Sequence, residues 1–237
     1  MLRIIDARTG EPTAAAPARR GPTRIEAHAS APGLGALRVL LVTDLLVRAL
    51  ELDSTPVRAL LTGEGDRTEL RAGAAALGIR PLEEGPDSAA WPGERQILHV
   101  VPQGDPAPDG VHVAVAPVTG EAPADPAVLR LALLTRPRTE TVHLDAAALG
   151  EAHDTLVRWR EAVADWARRP SRPVPDEVRG RLRTAWEDDL DVPEVLRVLR
   201  SLAEAGSGLP DGARFESYAY ADRLLGLELT RDVGAAP

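Results

Sequence analysis

The sequence predicts an α/β protein: a parallel β-sheet domain of about residues 1–124, followed by an α-helical bundle domain of about residues 125–237. Three observations carry this. Over the first half, short apolar runs alternate with helical periodicity, the pattern of parallel strands joined by right-handed crossovers. Beyond Asp125-Pro126 helical steps dominate and no further strand is expected. A chain of 237 residues, 44% hydrophobic and 27% charged, is globular and holds one domain, or one and a half.

The elements follow in order. Residues 9–23, rich in Thr, Gly, Pro, Ala and Arg, lack periodicity and read as an extended loop. Arg24 to Ser30 is a short strand, with Pro32-Gly33 marking the turn after it. Leu37, Leu40, Leu41, Asp44, Leu45 and Arg48 recur at steps of three and four within a helix from Leu34 to Leu52. Pro56 stops that helix, and Val57 to Thr62 is a buried strand. Asp66 is placed to cap a helix through about Leu77, which Gly78 closes. A Pro- and Gly-bearing loop through Pro81, Gly85, Pro86 and Pro92 leads to strands at Gln96–Val101 and Val111–Pro117, separated by the turn-rich Gln103–Gly110.

In the second half, Asp125 caps a helix to about Thr135 with Pro126 at its first position. Asp145 caps a longer one to Arg169, with Leu149, Leu156, Trp159, Val163 and Trp166 as its apolar stripe. Pro170, Pro173 and Pro175 form a stiff linker. Helices at about 176–189, 193–205 and 212–226 complete the bundle.

Composition narrows the chemistry. The formal charge of -8 weighs against electrostatic binding of nucleic acid. There is no Cys, no Lys and no Asn, so all 28 cationic side chains are Arg. Without Cys there are no disulfides, thiolate nucleophiles or thiolate zinc sites. Without Lys there is no Schiff-base chemistry. The joint loss of Lys and Asn, both read from A-rich codons, beside abundant Ala, Arg, Gly and Pro suggests a GC-rich bacterial gene. No run reaches the ~18 apolar residues of a membrane span, and the first residues do not read as a secretory signal. The expected location is the cytoplasm, without membrane attachment.

Four segments bear on function. At Ser30-Ala31-Pro32-Gly33-Leu34-Gly35-Ala36-Leu37-Arg38 a strand turns into a helix, whose free N–H groups suit a phosphate or carboxylate. Gly33 and Gly35 would let a ligand approach the backbone, although Arg38 breaks the Gly-x-Gly-x-x-Gly pattern and a Gly-assisted turn is the simpler reading. The five histidines, His28, His99, His112, His143 and His153, include no pair at metal-ligand spacing. His28, His99 and His112 could each end a strand, where ligands of open α/β folds collect, but satisfied histidines are the simpler reading and no metal site is expected. Glu187-Asp188-Asp189-Leu190-Asp191-Val192-Pro193-Glu194 reads as a helix end, a turn and an N-cap rather than a cation site. Phe215, Tyr218, Asp222 and Leu225 lie at helical steps; core packing is the default, and a base-stacking platform the alternative.

These segments together resemble the cysteinyl-tRNA synthetases and their tRNA-independent relative, the cysteine-adenylating ligase of mycothiol biosynthesis. Met1 to Gly10 looks like that family's start. Gly33-Leu34-Gly35-Ala36-Leu37-Arg38, with Asp44 six residues on, falls where the family has its His-Ile-Gly-His signature, Arg and Asp. Ala76-Leu77-Gly78-Ile79-Arg80-Pro81 is similar to the entry of the inserted domain. Asp125 to Leu134 resembles the Leu-Arg helix after the Lys-Met-Ser-Lys-Ser loop. Asp188-Asp189-Leu190-Asp191-Val192-Pro193 is similar to the Asp-Asp-Leu-Asn-Thr-Pro turn. The resemblance implies a Rossmann-like, class I synthetase-type sheet domain and an actinobacterial source.

The departures from the family are equally specific. Gly33 and Ala36 stand where signature histidines would stabilise ATP phosphates. The Lys-Met-Ser-Lys-Ser segment corresponds to about Val118–Ala124 and holds no Lys. The family's zinc needs thiolates, and His28 sits near one of the lost Cys positions. The inserted domain is compressed into about 82–95, and no anticodon-binding extension follows Gly234. Adenylation places negative charge on departing pyrophosphate, and losing one stabilising donor typically costs ~10²–10³ in rate. The resemblance thus implies a catalytically degenerate protein with no catalytic residues and no required cofactor. It would bind a protein partner or small ligand in a relic cleft formed by His28, Ser30, Gly33, Gly35, Arg38 and Asp44. The alternative is an ATP-dependent amino-acid-activating ligase, binding ATP or AMP through backbone amides with Arg38, Arg67 and Arg130 in place of Lys.

Overall fold

The structure, a computed structural model, describes residues 1–16, 23–29, 32–63, 67–83, 96–120, 124–204 and 208–234. It opens with a two-stranded antiparallel hairpin of β1 (Arg3–Ile5) and β2 (Pro12–Ala14), in which Arg3 pairs with Ala14. The segment expected to be a loop therefore supplies a strand. Three residues are too few for alternation to show in sequence; only Ile4 of β1 turns into the core.

The main sheet holds β3 (Thr23–His28), β4 (Val57–Thr62), β5 (Ile97–Pro102) and β6 (Val111–Val115), all parallel in the order β4-β3-β5-β6. This is the α/β, Rossmann-like arrangement the alternating pattern predicts. Helix α1 (Leu34–Leu52) joins β3 to β4, and α2 (Thr68–Ala76) packs beside α1. Asp66, the expected cap of α2, lies outside the described residues, and Arg67 occupies the N-cap position. Gly78 turns the chain after α2 with φ 67°, a left-handed conformation suited to Gly. Glu83 then adds a single parallel bridge to Leu60. Most of the compressed 82–95 segment lies outside the described residues.

Strand alternation separates two faces of this sheet. Ile25, Ala27, Leu61, Leu98, Val100 and Val113 join the hydrophobic core under α1. Their neighbours in sequence, Arg24, Glu26, His28, Thr62, His99 and His112, share the opposite face by register, because Glu26 pairs with His99, His99 with His112, and His28 with Thr62.

Strands do not stop at Asp125. A second parallel pair joins β7 (Val118–Thr119) to β8 (Val142–His143), on either side of α3 (Pro126–Leu134). Each strand is only two residues long, below the reach of a periodicity argument. Asp125 and Asp145 cap α3 and α4 (Ala146–Trp166), accepting from Ala127 N at 2.9 Å and Ala148 N at 2.8 Å. Helices α5 (Asp176–Glu187), α6 (Val192–Glu204) and α7 (Asp211–Leu225) follow. Tyr218 of α7 lies edge-on to Trp159 and Trp166 at centroid distances of 5.7 and 5.2 Å, and its hydroxyl donates to Leu199 O at 2.7 Å. This buried ring supports core packing and gives no base-stacking platform. One continuous core runs through both halves of the chain.

Two residues expected in the cleft hold these halves together instead. Arg38 is 1% exposed. Its guanidinium donates to the carbonyls of Ala116, Glu140 and Pro137 at 2.8, 2.7 and 2.8 Å. Burial pulls it down to about 10, which leaves it charged at neutral pH. Asp44, also 1% exposed, accepts from Arg130 at 2.9 Å, Arg48 at 2.8 Å and Arg80 at 3.2 Å. Arg130 extends the network to Leu225 O and Leu77 O at 2.7 and 2.8 Å. The charges expected to meet a ligand are thus committed to internal partners, because α1 turns those positions toward α3 and the following loop.

Two stability predictions follow from this packing. Trp159→Ala should cost about 3–5 kcal/mol in urea unfolding, the range for deleting a large buried aromatic. Asp44→Asn leaves buried guanidinium groups facing a neutral amide and should cost about 3–5 kcal/mol. Burial raises the Asp44 carboxyl, but Arg130 and Arg48 outweigh it and hold it below the ordinary carboxylate range. Its contribution is therefore complete above the unfolded value of ~3.9 and lost as pH falls through the depressed folded value. Unfolding midpoints measured from pH 7 into acid should drop in the wild type, and Asp44→Asn should lack that component of the drop.

Candidate functional site

The junction of β3 with α1 is open at its backbone. Gly33 is the N-cap of α1 with φ 139° and no side-chain cap. A Cβ built on Gly33 or on Gly35 would meet nothing within 4 Å among the described residues. Ser30, the hydroxyl expected beside this turn, lies outside the described residues, as does Ala31. Of the six expected cleft residues, Gly33 and Gly35 thus stand at the helix start and His28 at the end of β3. Arg38 and Asp44 belong to the interior networks described above.

The other expected cations are engaged as well. Arg67 donates to Leu61 O at 2.8 Å, and Arg130 is 1% exposed beneath Asp44. In the acidic run, Asp191 caps α6 by accepting from Glu194 N at 2.9 Å. Asp189 and Leu190 adopt left-handed φ values of 52° and 57°, a costly pair for residues other than Gly. Contacts to the N-terminal hairpin and to the loop before β8 hold the turn: Asp189 N donates to Arg3 O at 2.9 Å, and Arg138 reaches the Asp189 carboxylate at 2.5 Å. The run is a structural turn, as its sequence suggested.

The polar face of the sheet holds a cluster that sequence reasoning gave only in part. His28 Nε2 lies 3.0 Å from His99 Nδ1, and Glu26 Oε2 lies 3.2 Å from His99 Nδ1 and 3.8 Å from His28 Nε2. The other Glu26 oxygen is 2.5 Å from Arg24 Nη2. Thr62 Oγ1 stands 3.0 Å from His28 Nδ1, and His99 Nε2 faces Asp109 O at 3.3 Å. His112 meets the His99 ring edge-on at 6.0 Å and binds Pro108 O at 2.8 Å through Nε2. Glu26 and His99 are almost fully buried and His28 is half-buried. Burial pushes the His99 ring below its ordinary value, against the raising pull of Glu26.

His28 closes its strand as expected. His99 sits within β5 and His112 within β6, so they meet through register rather than at strand ends. Glu26 and Thr62 were missed. The available signal was Arg24-x-Glu26-x-His28, three polar residues at strand spacing inside a buried parallel strand, where apolar residues are the rule. Glu26, His28 and His99 each place a ligand atom within 4.8 Å of the others. The thiolate zinc that the family resemblance implies does not fit, because the chain has no Cys to supply its ligands.

No protein-family model matches the chain. Curated proteins do. The chain is 38% identical over 109 residues to the L-cysteine:1D-myo-inositol 2-amino-2-deoxy-alpha-D-glucopyranoside ligase of Streptosporangium roseum, covering 45% of this chain and 26% of the ligase. The ligase of the same name from Parafrankia sp. is 40% identical over 114 residues, 45% of this chain and 25% of that protein. The one from Streptomyces griseus is 37% identical over 108 residues, 44% and 25% of the two chains. The chain thus spans about a quarter of the length of these relatives. Across about 45% of its length the chain is similar to these ligases, the tRNA-independent relatives that its sequence resembles.

Proposed function

We propose that this protein is a catalytically degenerate relative of the cysteine ligases that acts in the cytoplasm by binding, either a small ligand or a protein partner, at the relic cleft between β3 and α1. One observation carries the reading. Where the family resemblance places phosphate-stabilising histidines, this chain has Gly33 and Ala36, and a side-chain carbon added at Gly33 would meet open space among the described residues. A nucleotidyl transfer depends on positioned cations and donors that meet charge as it develops on the phosphates. Lys is absent, and Arg38, Arg67 and Arg130 are bound to carbonyls or to Asp44. A guanidinium held by several partners does not swing to a phosphate without breaking them.

His28, Gly33 and Gly35 remain as the rim of the proposed cleft, with Arg38 and Asp44 as its supports. Between α1, β4 and the end of α2, Leu40, Leu61, Ala74 and Ile79, with Arg71 and Arg80, line a separate cavity of about 390 Å³, a volume that suits a small ligand. The rival reading, an ATP-dependent ligase working through backbone amides, draws on the bare N-terminus of α1 and on the relatives' name.

Calorimetry with ATP and AMP, followed by ATP–pyrophosphate exchange with cysteine and the other amino acids, separates the two. The expected result is no exchange above the protein-free background, whether or not nucleotide binds. Amino-acid-dependent exchange above that background by the wild-type protein would establish the ligase instead.

A further inference from the structure

We propose that Glu26, His28 and His99 form a binding site for a divalent transition-metal ion, with Zn²⁺ the ion whose coordination they match. The three donor atoms make a triangle with sides of 3.0, 3.2 and 3.8 Å. Ligands about 2.0–2.1 Å from a tetrahedral zinc stand ~3.3 Å apart, close to the mean of these sides. An ion at that distance from all three sits just outside the plane of the triangle and needs no movement of the strands.

The hydrogen bonds behind the cluster set both imidazole tautomers. Thr62 has a single hydroxyl proton, and it goes to Ala27 O at 3.1 Å. The Thr62 oxygen therefore accepts from His28 Nδ1–H, which makes His28 Nε2 a lone-pair atom. A carbonyl only accepts, so the contact from His99 to Asp109 O places the proton on Nε2 and makes Nδ1 the lone-pair atom. Glu26 Oε2 is a carboxylate acceptor, and Arg24 fixes its orientation by holding the other oxygen. Among the described residues, these hydrogen bonds turn three lone pairs toward one point, an arrangement that favours a bound cation. Metal-ligating histidines characteristically donate their remote N–H to a carbonyl or oxygen partner, as both do here.

Two imidazoles and one carboxylate are also the ligand set of zinc sites that keep a fourth position for water or a substrate atom. The ligands come from adjacent paired strands, which hold a constellation more precisely than loops do. The competing account is a proton: one ring ionises and bridges the other ring and Glu26, with no affinity for metal. This inference does not rest on the binding role proposed above, since the ion would bind whether or not the cleft does.

The test uses the full chain, stripped with chelator and titrated with Zn²⁺ by calorimetry, and separately with Co²⁺ while visible absorption is followed. Expected are about one ion per chain and the intense visible bands of four-coordinate Co²⁺, bleached by added Zn²⁺. His28→Gln should weaken binding at least about a hundredfold, since losing even an outer-shell partner costs ten- to a hundredfold. Exposed His153→Gln should leave it unchanged. The wild-type cobalt spectrum needs no variant, and circular dichroism checks the folding of His28→Gln and of a second ligand variant, Glu26→Gln. Absence of stoichiometric Zn²⁺ and Co²⁺ binding by the wild type overturns the proposal in favour of the shared proton. So does affinity unchanged in both ligand variants.

Discussion

The fold turns on one buried carboxylate. Asp44 lies in the middle of a helix that touches all four strands of the main sheet, and its charge has no water to face. A lone carboxylate there would cost many kcal/mol, so the surrounding elements must bring cations to it. Arg130 of α3, Arg48 of α1 and Arg80 beyond α2 do so. Arg130 then needs acceptors of its own and takes them from the C-terminal ends of α2 and α7, at Leu77 O and Leu225 O. One charge thus fixes the mutual position of four helices. Gly226 follows from the same demand: a side chain there would approach the Arg130 guanidinium to 2.8 Å.

Using Arg for every cation shapes how these contacts are made. A guanidinium has five N–H donors in a rigid fork and can bind several carbonyls at once, which an ammonium on a flexible stem does less well. Arg38 gathers carbonyls from the ends of β6 and the loop before β8. Arg138 does the same for Ala114 O and Ile5 O while holding Asp189. Side chains that serve as internal staples are unavailable to a phosphate. Among the described residues, Arg38, Arg67 and Arg130, the cations expected to replace Lys, are all held by such internal partners.

The long elements were legible because each carries its own punctuation. Helix α1 and strand β4 have the predicted limits, set by Gly33, Pro56 and the apolar run between. Asp125 and Asp145 announced the two helices they cap. The hairpin β1–β2 and the pair β7–β8 were illegible because two or three residues hold no period, and their pairing depends on partners far along the chain. The site was read less well for a related reason. Spacing placed Arg38 and Asp44 on the right helix but did not show which neighbours that helix would meet. His28, His99 and His112 were noticed as strand residues, but Glu26 entered only through the register that sets it opposite His99.

The polar sheet face poses a question that stability alone does not answer. Arg24, Glu26, His99 and His112 are all less than one-tenth exposed, yet the same strands carry an apolar face that packs without such groups. Burying ionisable side chains costs desolvation that their mutual attraction only partly returns, and replacing them with well-packed hydrophobic residues is often neutral or stabilising. Ile25 and Leu98 show that these strands accept apolar side chains one residue away. Stability alone therefore gives no reason for the polar set. It differs in this from the Asp44 network, where both carboxylate oxygens accept from guanidinium groups and Arg130 also binds carbonyls that build the fold. At Glu26, His28 and His99 two ring nitrogens and a carboxylate oxygen face one another at 3.0–3.8 Å, the arrangement proposed above to hold an ion. The proposed ion would supply at the sheet face the positive charge that Arg130, Arg48 and Arg80 supply to Asp44.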